Sequence, residues 1–193
     1  IVEREKVATT YLVPTMLQGI LDHPDFPKRD LRSLKNIGYG ASPMPVALLM
    51  RAKELLQAEY TNFFGMTEST GIISVLSPQD HRLEGSPEEI ARNTARLASI
   101  GHCIPEGEVR IVDDEDRDVP IGTVGEIVAR GKKVMKGYWN KPQASEETLR
   151  GGWLHTGDLG YFDEENLLFF VDRKKDMIKS GGENVYSLEV ELA

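Results

Sequence analysis

Short β-rich runs alternate with apolar stretches of helical spacing through the first third of this chain, and that alternation restricts the fold more than any other feature. "VATTYLVP" is rich in β-branched residues and stops at Pro14, after which "TMLQGILDH" places its apolar residues on one helical face. "LRSLKNIGYG" reads as a polar lead-in, a short buried strand and a glycine stop. "PVALLMRAKELLQAE" reads as a helix, with Pro45 near its start and Val46, Leu49 and Leu56 on its buried side. "YTNFF" is a further short strand. Strands that alternate with helices in this way predict an α/β sheet with parallel neighbours up to about residue 76.

The texture then changes. Residues 77–98 are polar and rich in Ser, Pro, Glu and Arg, which predicts a surface excursion. From Ile100 onward "EVRIVDDED", "GEIVAR" and "LGYFDEENLLFFVD" are short β patterns separated by glycines and acidic turns, with one helix-like insert, "QASEETL". This predicts a compact β-barrel-like subdomain. "DRKKDMIKSGGENVYSLEVELA" is charged and broken by glycines, a linker into something new. The chain opens at "IVEREKVATT" without an initiator Met and stops inside a helical pattern, so a piece of a longer protein is expected.

Composition removes some function classes. The net charge is −8 with no basic stripe, which argues against nucleic acid or an anionic membrane as the main partner. The single cysteine, Cys103, excludes an internal disulfide framework and suits a reducing compartment, so a cytoplasmic location is expected. No apolar run approaches a transmembrane span, and no signal-peptide pattern opens the chain.

Four stretches can carry chemistry. In "YGASPMP", Gly40 and Ala41 leave backbone open to a flat base, although an ordinary strand-to-helix turn explains them equally well. In "NFFGMTEST", Phe64 offers a ring face, Thr67 a hydroxyl for a phosphate oxygen, and Glu68 a hard oxygen ligand for Mg²⁺. The alternative is a capped turn in which Thr67 or Ser69 bonds local backbone. In "GGWLHTGDLGYFD", Asp158 sits between Gly157 and Gly160, where a carboxylate can accept two hydrogen bonds from a ribose diol; an Asx-turn in a hairpin is the alternative. His155 reads as a structural hydrogen-bonder. "DRKKDMIKSGGEN" is a solvated charge run or an element end at which a hinge sits. "GEIVARGKK" superficially suggests a phosphate-binding P-loop, but it has five residues between its glycines instead of four, and it alternates as a strand does.

The order and spacing of "YGASPMP", "NFFGMTES" and the run from Trp153 to Glu191 resemble the adenylate-forming superfamily of acyl-CoA synthetases, luciferase and peptide-synthetase adenylation domains. "DRKKDMIKSGGENVYSLEVE" is most similar to bacterial fatty-acyl-CoA ligases. The resemblance implies activation of a carboxylic acid by ATP to an acyl-adenylate, then transfer to coenzyme A after the C-terminal domain rotates. It implies three segments: residues 1–98 as the α/β part of the large domain, 99–171 as the barrel-like part, and 172–193 as the hinge and the start of a truncated C-terminal domain. Gly40, Ala41 and Ser42 match adenine-contacting backbone, and Phe64 stands where a stacking aromatic, usually tyrosine, is found. Gly65 and Met66 continue that nucleotide-binding stretch, with Thr67 as the phosphate-binding threonine and Glu68 as the Mg²⁺ ligand. Asp158 and Arg173 match ribose-binding residues, Lys175 the hinge, and Gly181 and Gly182 the loop lining the pantetheine tunnel. Residues around Tyr39, Gly65 and Gly71 are implied to border the acyl pocket. Ser187 stands where proline is common, and neither the family's upstream phosphate loop nor its downstream lysine lies in this chain. The chain alone is therefore expected to be inactive.

Overall fold

The computed structural model describes residues 1–180 and 183–187. A four-residue helix α1 (Val2–Glu5) leads into β1 (Thr9–Leu12), α2 (Pro14–Leu21), β2 (Asn36–Gly40), α3 (Val46–Leu55), β3 (Glu59–Met66) and β4 (Gly71–Leu76). The chain continues through α4 (Pro87–Arg96), β5 (His102–Cys103), β6 (Gly107–Val112), β7 (Gly125–Gly131) and α5 (Pro142–Thr148). It then forms β8 (Leu154–Phe162), β9 (Leu168–Arg173), β10 (Ile178–Ser180) and β11 (Glu183–Val185). Two compact units result. One holds residues 1–64 and 75–101, the other 65–74 and the described residues from 102 onward.

In the first unit β1, β2 and β3 run parallel, with Leu12 opposite Tyr39 and Tyr39 opposite Asn62. This is the arrangement that the strand–helix alternation demands. Pro14 not only ends the run of β1 but opens α2, where its missing N–H has no helical partner to lose. Leu17 and Leu21 from α2 and Leu49 and Ala52 from α3 pack with Ile37, Tyr39, Leu56 and Tyr60 into one core. Each fully buried leucine contributes about 1.5–3 kcal/mol of apolar transfer. Tyr39 is completely buried, and its hydroxyl donates to His81 Nε2 at 2.8 Å while His81 Nδ1 donates to the Ser77 carbonyl. Burial keeps His81 below its usual pKa, hence neutral, as this geometry needs. The Tyr39 side chain is thus committed to the core.

Residues 77–98 are more than an excursion, because they contain α4. Ser86 Oγ accepts from Glu89 N–H and the Glu89 carboxylate accepts from Ser86 N–H, a reciprocal cap that starts the helix without any buried face.

The second unit is built on an antiparallel sheet of order β6-β7-β8-β9. Its buried residues include Ile111, Ile127, Leu154, Leu159, Leu167 and Leu168. The sheet is not closed, so the expected barrel is not formed: β6 and β9 are its edges. Closure around a packed interior takes about eight strands, and four cannot complete the circuit. β10 and β11 pair antiparallel, with Ile178 opposite Val185. Among the described residues no helix is long and apolar enough to cross a membrane.

Candidate functional site

The first unit places "YGAS" at the C-terminal end of β2, the end at which parallel sheets take ligands. Gly40 is buried and does not expose its backbone as the sequence suggests; Ala41 and Ser42 are the exposed residues. A Cβ on Gly40 would lie 2.2 Å from the Phe63 carbonyl oxygen and 2.6 Å from Tyr11 Oη, so glycine is required there by close approach. Ala41 has φ +66°, a conformation that costs a non-glycine residue on the order of 1 kcal/mol or more. Phe64, half-buried, lies on β3 in the same unit.

Gly65 does not break the strand. β3 runs through Gly65 and Met66, and the missing Cβ of Gly65 gives room to the Gly71 carbonyl oxygen, which would otherwise sit 1.8 Å away. The turn that follows, Thr67–Ser69, is a single 3₁₀ turn ended by Thr70 at φ +53°. Its hydroxyls divide the work. Buried Ser69 Oγ accepts from Met66 N–H at 3.2 Å and lies 2.7 Å from the Gly71 carbonyl oxygen, while Thr70 donates to the Lys133 carbonyl at 2.6 Å. The capped-turn reading therefore holds for Ser69. Thr67 is exposed, and among the described residues its hydroxyl has no hydrogen-bond partner. Glu68 is half-buried, with its carbonyl accepting from Met135 N–H and its Oε1 accepting from the Tyr138 hydroxyl, each at 2.7 Å. That bond, with partial burial, raises the Tyr138 pKa.

Asp158 is not in a hairpin turn. It lies inside β8 at a bulge: Glu126 and Val128 on β7 face Leu159 and His155, so Thr156, Gly157 and Asp158 stand opposite Ile127 alone. Gly157 takes φ +73°, Thr156 Oγ1 donates to the Ile127 carbonyl, and Asp158 N–H donates back to Thr156 Oγ1. A bulge of this kind re-aims a side chain beside a site. Asp158 is 8% exposed, and burial raises its pKa to about 6 although Arg173 pulls it down. Arg173 is its register partner on β9, with Nε 3.6 Å from Oδ1.

Glu126, buried in β7, accepts from Gly157 N–H at 3.2 Å and from Lys174 Nζ at 3.1 Å, with Arg150 Nη2 at 3.4 Å. Burial raises its pKa, but Lys174 and His155 outweigh that and hold it below the ordinary glutamate value. His155 is buried between Glu126 and Asp116, at 3.4 and 3.8 Å, but its Nδ1 has no hydrogen-bond partner among the described residues, so it is not the hydrogen-bonder read from the sequence. Lys174 is fixed twice, its N–H donating to the Gly157 carbonyl and its ammonium to Glu126 and Asp114. Lys175 is exposed on the turn just beyond. Buried Asp172 accepts from both the N–H and the hydroxyl of Ser187. Gly181 and Gly182 lie outside the described residues.

Residues 1–139 match the family described as AMP-binding enzyme. The chain belongs to the AMP-binding enzyme family. Among its relatives, the medium/long-chain-fatty-acid–CoA ligase FadD8 of Mycobacterium tuberculosis is 38% identical over 191 residues, 99% of this chain and 32% of its own length. Of solved structures, the amide bond synthetase McbA of Marinactinospora thermotolerans superposes with a TM-score of 0.83 at 35% identity, over 98% of this chain and 36% of McbA. The o-succinylbenzoate coenzyme A synthetase of Bacillus subtilis, in complex with ATP and magnesium ion, gives 0.80 at 35% identity, over 99% of this chain and 37% of that enzyme. The chain spans about a third of the length of these AMP-binding relatives.

Magnesium fits the residues present. Among the described residues no three His, Cys, Asp or Glu side chains gather to hold a metal by themselves. Mg²⁺ in a nucleotide site needs no such cage, since one or two carboxylates, phosphate oxygens and water complete its shell. Glu68 has Oε2 without a hydrogen-bond partner among the described residues, and the hydroxyl of Thr67 stands next to it in sequence. Tyr138 and Glu126 were not legible as site residues: the first meets Glu68 across 70 positions, and the second is a lone acid within a buried strand.

Proposed function

We propose that the full-length protein containing this chain activates a carboxylic acid with ATP, as an acyl-adenylate, and transfers the acyl group to coenzyme A, with a fatty acid as the substrate. The observation that supports this best is the buried Asp158 on its bulge with Arg173 as register partner, in a chain of the AMP-binding family. A carboxylate held there accepts both hydroxyls of a ribose, and the Arg173 guanidinium adds a donor beside it. The backbone of Ala41 and Ser42, just past the buried Gly40, takes the adenine, against the ring of Phe64 and with Gly65 and Met66 continuing the stretch. Thr67 donates to a phosphate oxygen. When bound at Glu68 with the nucleotide phosphates, Mg²⁺ supplies charge neutralisation for the departing pyrophosphate. Positioning and electrostatics carry such a phosphoryl-centre displacement, and these side chains provide part of both. Lys175 is the pivot for the second half-reaction, and Gly181 and Gly182 line the thiol's path. The chain alone is inactive, because the phosphate loop and the terminal lysine lie outside it. Cytoplasmic location goes with this chemistry, and Cys103, whose thiol burial raises to about 11, is not its nucleophile.

An aromatic acid is the second reading, favoured by the similarity to o-succinylbenzoate coenzyme A synthetase. Pyrophosphate exchange by the full-length protein, run over a panel of fatty and aryl acids, separates the two; thioester formation with coenzyme A, against amide formation with an amine, identifies the acceptor. Exchange with no acid of either class would defeat the proposal.

A further inference from the structure

The segment after β7 holds the Thr67–Ser69 turn from one side at three points. Thr70 Oγ1 donates to the Lys133 carbonyl, Met135 N–H to the Glu68 carbonyl, and the Tyr138 hydroxyl to Glu68 Oε1. Tyr138 is itself anchored. Its N–H donates to Ser145 Oγ at 2.8 Å, and Ser145 Oγ donates to the Lys141 carbonyl in the first turn of α5.

We propose that Tyr138 is a positioning residue for Glu68: its hydroxyl fixes Oε1 and leaves Oε2 to the nucleotide-bound divalent cation. The proposal rests on the reading of Glu68 as the metal ligand. Three features favour it over simple packing. The partner is a neutral donor, so it orients the carboxylate without cancelling the charge that attracts a cation. Asp158 and Glu126, by contrast, meet cations: Asp158 faces Arg173, and Glu126 is bonded to Lys174. Among the described residues Glu68 forms no ion pair, although Lys132, Lys133 and Lys136 all belong to the strap beside it. A lysine or arginine on Glu68 would compete with the metal for the same oxygens, and the sequence offers several without using them. Finally, main chain and side chain of Glu68 are both held by the same short segment, so the carboxylate is tied to the element that also fixes its backbone. The 2.7 Å bond from Tyr138 restricts the side-chain torsions and favours one orientation of the carboxylate. Partners that orient a metal ligand commonly change metal affinity by about 10–100-fold when removed.

The test uses the full-length protein as wild type, Tyr138→Phe, Ser145→Ala and Glu68→Gln. Mn²⁺ binding to the complex with a non-hydrolysable ATP analogue is followed by electron paramagnetic resonance, a readout independent of turnover. Tyr138→Phe keeps the ring and its packing, and should raise the Mn²⁺ dissociation constant about tenfold or more. Binding of the analogue without metal should stay within about twofold, and raising Mg²⁺ should restore pyrophosphate exchange. Ser145→Ala should shift Mn²⁺ binding in the same direction by a smaller factor, which keeps the proposal testable if Tyr138→Phe folds poorly. Unchanged Mn²⁺ affinity in both variants, with affinity lost in Glu68→Gln, overturns the role of Tyr138 and leaves the metal reading standing. Unchanged affinity in Glu68→Gln overturns the metal reading, and the proposal falls with it.

Discussion

Nucleotide binding should be coupled to a proton at Asp158. Burial sets its carboxyl at about 6, and a ribose diol needs both oxygens as acceptors, hence the ionised form. The charged groups acting on it are Arg173, which pulls the value down, and Glu126, which pushes it up. The ionised fraction is about one half at pH 6 and about one in eleven at pH 5, so the apparent dissociation constant of a ribonucleoside should rise roughly tenfold between pH 7.5 and 5. Near pH 6, binding should release about half a proton, visible in calorimetry as an enthalpy that depends on the buffer. Adenosine is the appropriate probe, since a phosphate monoester itself titrates near pH 6. The stability effect has the opposite sign. A folded-state pKa above the ordinary 3.8 means that the native protein holds this proton more tightly than the unfolded chain. The charged Asp158 therefore destabilises the fold in full above pH 6, and the penalty is relieved as pH falls from about 6 towards 3.8. The difference of about two pKa units corresponds to about 3 kcal/mol. Asp158→Asn in the full-length protein should then unfold at higher denaturant concentration at pH 8, bind adenosine about tenfold or more weakly, and lose the inflection near pH 6. A wild-type affinity that is flat from pH 5 to 7.5, or an asparagine variant with the same inflection, would refute the coupling.

Glu126→Ala should destabilise the fold by about 1–3 kcal/mol in urea unfolding, because it leaves the Gly157 N–H without its acceptor while Lys174 keeps Asp114. Since the Glu126 pKa is lowered, its contribution is present above the unfolded value near 4.5 and should disappear as pH falls below it. Lys175→Pro fixes φ one residue beyond Lys174, whose N–H donates to the Gly157 carbonyl; pyrophosphate exchange should persist while single-turnover thioester formation falls by orders of magnitude, and equal losses would remove Lys175 as the pivot. Gly65→Ala forces a methyl against the Gly71 carbonyl oxygen and should lower stability by about 1–3 kcal/mol or more, measured by thermal unfolding; a neutral effect would mean that β3 and the turn after it separate freely.

Where local pattern carries the information, the sequence is readable: β1, α2, β2, α3 and β3 follow from periodicity, proline and glycine, and the parallel pairing follows from their alternation. α4 was within reach, since Ser86, Pro87 and Glu89 spell a helix start; the polar character of the segment concealed it because the helix buries nothing. Gly65 misleads because a glycine that ends a strand and one that admits another carbonyl look the same in sequence. The glycines around Asp158 draw attention to it, but its bulge is not legible, since a register shift is a property of two strands and "HTGDL" shows only one. Tyr138, Glu126 and the Asp172–Ser187 bonds depend on partners 15 to 70 positions away, and no local spacing announces them.

The interleaving of the two units also matters for how the chain acquires its structure. During synthesis residues 65–74 emerge well before Lys133, Met135 and Tyr138, the groups that later hold them. The Thr67–Glu68 turn must therefore wait through a closure of some 60–70 positions, with residues 75–101 assembling into another unit in between. Contacts of that sequence separation slow folding, because the entropy of bringing the ends together is lost before the contact rewards it. A cut at the compositional change near residue 99 would put Glu68 and Tyr138 on different polypeptides, and the half carrying the carboxylate would then have no strap with which to orient it.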